Sequence, residues 1–141
     1  MKTFLFSILA VVALWSCNNG NASELPKPGD VTSIEWIDSV KNVGVVNEGQ
    51  IVDISFRFKN TGDKPLVIQD VKASCGCTVA ERPEAPIAPG KEGEIKASFN
   101  SQGRPGMNNK TLTVYANTGS DEHKLNFSVE VKPKPTEAPK Q

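Results

Sequence analysis

Apolar and polar residues alternate without interruption from Val52 to Lys59. Val52, Ile54, Phe56 and Phe58 fall on one side, and Asp53, Ser55, Arg57 and Lys59 on the other. A strand points successive side chains to opposite faces, so this pattern predicts a strand with one face in a core and one in water. The same period returns at Ile95, Ala97 and Phe99, at Leu112, Val114 and Ala116, and at Leu125, Phe127, Val129 and Val131. Helical periodicity never holds over a useful length in this region. Shorter apolar runs predict strands at 31–37 and at Val43–Val46. The stretch Leu66 to Val79 predicts one more strand with a change of parity: Leu66 and Ile68 are even, whereas Val71, Ala73, Cys75, Cys77 and Val79 are odd. A bulge or bend near Gln69 and Asp70 reconciles the two halves.

Turn chemistry separates these segments. Asn60-Thr61-Gly62-Asp63-Lys64-Pro65 combines residues suited to reversal. Pro83, Pro86 and Pro89, with Gly90 and Gly93, make a loop that cannot join a central ladder. Gly103, Pro105 and Gly106, then Asn117 and Gly119, mark the later turns. About seven strands at this spacing predict an all-β fold, an immunoglobulin-like antiparallel β-sandwich. The polar segments 81–93 and 100–109 are its longest predicted loops. The Cys…Trp…Cys spacing of antibody domains is absent, since Cys75 and Cys77 are separated only by Gly76.

The two ends read differently from the middle. Lys2 followed by the apolar run Phe4 to Leu14 has the length of a signal peptide and falls short of the ~20 residues that a spanning helix needs. Leu14-Trp15-Ser16-Cys17 resembles the lipobox of bacterial lipoproteins, with Trp15 where a smaller residue is usual. The resemblance implies cleavage after residue 16 and a diacylglyceryl thioether on Cys17. Residues 17–30 then form a lipidated cysteine and a flexible tether rich in Asn, Gly, Ser and Pro, whose contour reaches roughly 40 Å at ~3.3 Å per residue. Residues 31–131 form the one folded domain, and residues 132–141 a proline-rich extended tail. The expected location is the cell envelope, on a lipid anchor at the outer membrane, facing the periplasm or the surface.

Charge removes some classes of function. The 141-residue chain has a formal net charge of zero, and no basic stripe is interleaved with aromatic residues, so nucleic acid is not an expected partner. His123, the one histidine, follows Asp121 and Glu122 with no motif that positions a serine nucleophile, and reads as a solvated turn residue. Glu92 and Glu94 share a face at strand spacing, and read as solvated carboxylates of a polar turn. The glycines punctuate turns and form no phosphate-cradling loop. Asp38-Ser39-Val40 resembles a three-residue O-glycosylation motif.

Several motifs in one order point to a family. Phe56-Arg57-Phe58-Lys59-Asn60-Thr61-Gly62, Pro65-Leu66, Ser74-Cys75-Gly76-Cys77-Thr78, Pro86-Ile87-Ala88-Pro89-Gly90 and the segment Lys110 to Asn117 resemble the bacterial domain-of-unknown-function family 1573. The resemblance implies an immunoglobulin-like domain akin to those called ASH and MSP, common in lipoproteins of the Bacteroidota and often without known activity.

Cys75 and Cys77 are the one place where chemistry is expected. Alternate strand residues face the same side, which makes the two sulfurs neighbours. In an extended strand their Cα atoms stand about 6.6 Å apart, near the upper limit for a disulfide, and a kink at Gly76 shortens the gap. Three readings stay open: small apolar packing residues with or without a local bridge, a soft-metal site suited to copper(I), and a redox-active pair in a compartment where disulfides persist. A closed zinc site needs four ligands, which these thiols and the distant His123 do not supply. No cofactor is otherwise expected. The functional expectation is a lipid-anchored binding or scaffold module without catalytic activity, its partner an envelope protein or glycan. The alternative is a thiol-based copper-binding or redox factor.

Overall fold

The computed structural model describes Leu25, residues 27–120 and residues 122–135. The signal peptide expected at 1–16, the lipidation expected at Cys17, most of the tether and residues 136–141 of the tail lie outside the described residues. Eight strands follow in order: β1 (Ile34–Trp36), β2 (Val40–Asn47), β3 (Ile51–Asn60), β4 (Ile68–Ala73), β5 (Thr78–Glu81), β6 (Glu92–Asn100), β7 (Gly106–Ala116) and β8 (His123–Lys132). They form two four-stranded sheets, β1-β3-β6-β5 and β2-β8-β7-β4. The fold is the all-β sandwich that the alternation predicts.

The inward sets read from the pattern make the core. Phe56, Phe58, Ile95 and Phe99 from the first sheet and Leu112, Val114, Leu125 and Phe127 from the second are buried. Phe99 and Phe127 meet edge to face across the gap, with ring centroids 5.9 Å apart, a geometry favoured by the ring quadrupoles.

Four expectations need correction. Leu66 to Val79 is not one strand. β4 lies in the second sheet and β5 in the first, and Ser74 to Cys77 turns the chain back between them. The expected irregularity does occur, as a register shift between Ile68 and Asp70. After the turn the parity changes again, so Thr78 is buried and Val79, expected inside, is 65% exposed. Second, the sandwich is not wholly antiparallel: β2 runs parallel to β8. β1 and β2 form one path that leaves the first sheet after Trp36 and joins the second at Val40 without reversing, and this direction fixes the parallel pair. Third, the loop 81–93 is pinned, because Leu66 and Ile87 exchange backbone hydrogen bonds of 2.9 and 2.8 Å. The loop at 100–109 is likewise shorter than expected, since β7 begins at Gly106. Fourth, packed structure reaches past both domain bounds. Asn117 Nδ2 donates to the Asp30 carbonyl at 3.2 Å, and the Lys134 amide donates to Glu48 at 3.2 Å.

The exposed edge strand β2 carries its own protection. Its register shifts between Asn42 and Gly44, Gly44 holds φ 84°, and Asn42 Oδ1 accepts the Gly44 amide at 2.9 Å. A bulge of this kind twists an edge away from pairing with another chain.

One polar residue closes the end of the sandwich where β3 finishes. Asn60 continues the inward set Ile54, Phe56, Phe58 and is fully buried. Its Nδ2 donates to the carbonyls of Lys64 and Ile87, both at 2.8 Å. Its Oδ1 accepts the Thr32 hydroxyl at 3.0 Å and the Gly62 amide at 3.1 Å. Its backbone pairs with Lys91 and Gly90. One amide group therefore ties its own turn, at Gly62 and Lys64, to two segments distant in sequence, at Thr32 and Ile87. Removing it takes four hydrogen bonds from a buried site, and although the Lys64 and Ile87 carbonyls keep the Thr32 hydroxyl and the Leu66 amide as donors, each bond lost costs about 0.5–1.5 kcal/mol. Asn60→Ala is expected to lower unfolding free energy by about 3 kcal/mol in urea titration, against under about 1 kcal/mol for the exposed Asn126→Ala. Equal losses for the two variants would contradict this role for Asn60.

Candidate functional site

The turn between β4 and β5 brings Cys75 and Cys77 together. Their sulfurs are joined in a disulfide, with Cα atoms 5.2 Å apart. Each side of the turn is fixed to a different sheet. The Ser74 amide donates to the Thr111 carbonyl of β7 at 2.9 Å, and the Asn100 amide at the end of β6 donates to the Cys77 carbonyl at 2.9 Å. The crossing between sheets thus takes place across Cys75 and Gly76. Gly76 needs no positive φ, and a Cβ placed there would meet no atom within 4 Å. The approach of the two cysteines comes from the reversal itself and not from a conformation open only to glycine. Cys77 is buried at 6% exposure and Cys75 is partly exposed, packed against the core. While the bond stands, neither sulfur is a thiolate, the form in which cysteine binds metal.

Around this arch lies the outer face of the first sheet. Asp53 and Ser55 from β3, Val79 and Glu81 from β5, and Lys96 and Ser98 from β6 line a groove of about 430 Å³, floored by the strands at Ile54 and Ala97, whose side chains are buried in the core. Ser98 Oγ donates to Asp53. The Asn100–Cys77 hydrogen bond sets the alternation along β5, so the amide and carbonyl of Ala80 point away from β6 to the open edge.

The other candidates separate. Glu92 and Glu94 both stand on β6 and not in a turn. Glu94 accepts from Ser55 Oγ at 2.7 Å and pairs with Lys96 at 3.1 Å. These two bonds hold its carboxyl below the usual range, which suits an ionised surface group and not a proton donor. Asp38 is bound by Arg57 at 2.9 Å and Lys41 at 3.1 Å, where the path from β1 to β2 changes sheets, with Ser39 exposed beside it. Among the described residues, no three His, Cys, Asp or Glu side chains gather as metal ligands would.

His123 is not the solvated turn residue expected. It begins β8, partly buried, with its ring 6.0 Å from Trp36 and Nε2 2.8 Å from Thr118 Oγ1. Burial pushes its pKa below the ordinary value of 6.5, because desolvation disfavours the charged form.

A family model described as "Protein of unknown function (DUF1573)" matches residues 34–131. The chain belongs to the DUF1573 family. No curated protein matches it. Among solved structures it is similar to a protein of unknown function from Porphyromonas gingivalis W83, with TM-score 0.62 and 14% identity, covering 78% of this chain and 51% of that one. The ASH/PapD-like domain 7 of human CEP192 follows the fold with TM-score 0.52 and 12% identity over 93% of this chain and 100% of that domain. The secreted serine protease VesC from Vibrio cholerae does so with TM-score 0.53 and 12% identity over 71% of this chain and 23% of that one. At such identities the likeness is one of fold.

The motifs of this DUF1573 domain fall at two places. Asn60, Gly62, Leu66, Ile87, Gly90 and Asn117 meet at the end of the sandwich closed by Asn60, and Ser74 to Thr78 form the arch at the opposite end. Gly62 is required by close approach: a Cβ there would press on Thr32 Oγ1 and lie 2.6 Å from the Ser33 nitrogen. Asn60 and Asn117 were not among the expected site residues. Asn60 was read as turn chemistry; the signal that could have found it is its place one step beyond Lys59, in the inward phase of Ile54, Phe56 and Phe58.

Two measurements follow from this geometry. The disulfide closes a ring of about three residues, which removes roughly 1.6 kcal/mol of unfolded-chain entropy. Cys75→Ser with Cys77→Ser is therefore expected to lower stability by no more than about 1.6 kcal/mol in urea titration; a larger loss would mean that the bond holds the sandwich together. His123 resists protonation in the folded state while the unfolded chain accepts a proton at the ordinary value. The stability it contributes is present above pH 6.5 and is lost as pH falls through the lower folded value. Between pH 7.5 and 5.5, wild type should lose more stability than His123→Gln; parallel curves would rule out this linkage.

Proposed function

We propose that this protein is a lipid-anchored binding or scaffold module of the cell envelope, without catalytic activity, that holds an extended segment of a partner protein. The observation that carries the reading is the groove on β3, β6 and β5 beside the open edge of β5. An extended peptide needs backbone partners along an edge and pockets for alternate side chains. Ala80 supplies the first, and the spaces between the outward side chains of β3, β6 and β5 beside exposed Val79 supply the second. The hydroxyls and charges around that floor give polar partners at the rim. No aromatic ring lines the groove, which favours a peptide over a glycan, whose sugar faces stack well on aromatic platforms.

The lipobox-like sequence ending at Cys17 accounts for the anchor. Asp30 enters the fold beside Asn117, at the end opposite the Cys75–Cys77 arch. A tether attached there leaves the arch and the far loops pointing away from the membrane. A Cys17→Ser variant is expected to leave the membrane fraction and to lose the mass of the diacylglyceryl group.

The partner surface is tested with a photoreactive residue at position 79, and in parallel at position 126 on the outer face of the other sheet, in the cells that make the protein. An adduct with one defined envelope protein from position 79 and none from 126 supports the reading. Equal labelling at both positions, or none at 79, overturns it.

A further inference from the structure

The arch holds one buried polar group that the rest of the fold serves poorly. Thr78 is 6% exposed. Among the described residues its hydroxyl has two neighbours within hydrogen-bond reach, Cys75 Sγ at 3.7 Å and Cys77 Sγ at 3.9 Å. A buried hydroxyl ordinarily finds a good partner. A neutral sulfur is a weak acceptor, whereas an ionised acceptor makes hydrogen bonds about twice as strong. The Thr78 hydroxyl is thus placed to serve one of these sulfurs once the bond between them opens.

The two sulfurs are not equivalent. Cys75 is partly exposed, next to exposed Gly76, while Cys77 is buried and its carbonyl is held by Asn100. An incoming thiolate therefore reaches Cys75 first, and Cys77 is the leaving group. Burial alone would disfavour a thiolate at Cys77, and the Thr78 hydroxyl offsets that cost. The bonds from Ser74 to Thr111 and from Asn100 to Cys77 tie the arch to both sheets on either side, so opening the disulfide does not require the sheets to part.

We propose that Cys75–Cys77 is a thiol–disulfide exchange site for a dithiol carried by a partner protein. A thiolate of the partner attacks Cys75 Sγ and forms a mixed disulfide. The Cys75–Cys77 bond breaks, and its electron pair leaves on Cys77 Sγ, which accepts a hydrogen bond from Thr78 and then a proton from water. The partner's second thiol loses its proton to water and attacks the partner sulfur of the mixed disulfide. That step closes the partner's own disulfide and releases Cys75, which takes up a proton in turn. Two electrons pass from the partner dithiol to the arch, which ends as two thiols, and the protons balance through water. This function is independent of peptide binding in the groove.

The test uses the full-length protein in detergent under native conditions, with glutathione as a monothiol probe and dithiothreitol as a dithiol probe. Glutathione should give a mixed disulfide that peptide mass mapping places on Cys75. With dithiothreitol, Thr78→Val should slow the release of free thiols roughly tenfold, the effect of one lost hydrogen bond to a charged group. Thr78→Ser, which keeps the hydroxyl, should retain the wild-type rate. An adduct on Cys77, a Thr78→Val rate equal to wild type, or a disulfide that opens only in urea would each overturn the proposal. Adduct mapping on the wild-type chain decides the matter even if Thr78→Val does not fold.

Discussion

A sandwich of two apolar faces has a difficulty at its ends. Side chains such as Phe56 and Phe58 exclude water from between the sheets, yet the chain must turn there, and turning exposes backbone carbonyls and amides that no ladder satisfies. Asn60 resolves this at the end where β3 finishes. It offers two donors and one double acceptor in the inward phase of its strand, and the Lys64 and Ile87 carbonyls, the Gly62 amide and the Thr32 hydroxyl all converge on it. Its amide is buried only because every lone pair and proton has a partner, the condition under which a polar group in a core strengthens the fold. Asn117 repeats the device after β7 in the other sheet, accepting from Val67 at 2.7 Å and donating to Pro65 at 3.0 Å. The alternating core, the pinned loop at Ile87 and the entry of the chain at Asp30 all depend on these two side chains.

This dependence explains what could be read from the sequence. Period-two alternation reports which face of a strand is buried, so the core from Ile54 to Val131 was legible residue by residue. Alternation says nothing about which sheet a strand joins. In Leu66 to Val79 the odd set runs on past Ala73 to Cys77, because Cys75 and Cys77 continue to face the interior while the chain reverses. Only the burial of Thr78 and the exposure of Val79 mark the change. The parallel pairing of β2 with β8 was hidden for the same reason: a strand that changes sheets without reversing keeps its apolar spacing. Asn60 read as the first residue of a turn, and only the extension of β3 to it shows a polar residue at the inward phase of the strand. Two of its partners, Thr32 and Ile87, lie 28 and 27 residues away, and no local pattern joins those.

The candidate chemistry was legible in part. Two cysteines flanking one glycine are conspicuous in any strand pattern, but the features that separate them are tertiary. Cys77 is buried where its carbonyl is drawn to the end of β6, and Cys75, though packed against the core, is partly exposed beside exposed Gly76 at the tip of the reversal. Thr78 is an ordinary polar residue in sequence, and becomes notable only where the turn lays its hydroxyl against two sulfurs. His123 shows the same limit in another form. Its acidic sequence neighbours suggested solvent, and the Trp36 ring that covers one face comes from the other sheet.

The division of labour between the two ends bears on function. Asn60 and Asn117 spend their hydrogen-bonding capacity on the fold, and the segments they gather are held from several sides at once. At the opposite end the backbone of the arch is tied to the sheets at its flanks, by Ser74 and by Cys77, and its small covalent ring adds little to global stability. A bond that contributes little to the native state can open without unfolding it, whereas a partner engaging the asparagine network would have to displace buried hydrogen bonds. Local opening with low free-energy cost is the general property of segments that bind or react. On that ground the arch and the neighbouring edge of β5 are the part of this domain able to change state while the rest of the sandwich stays intact.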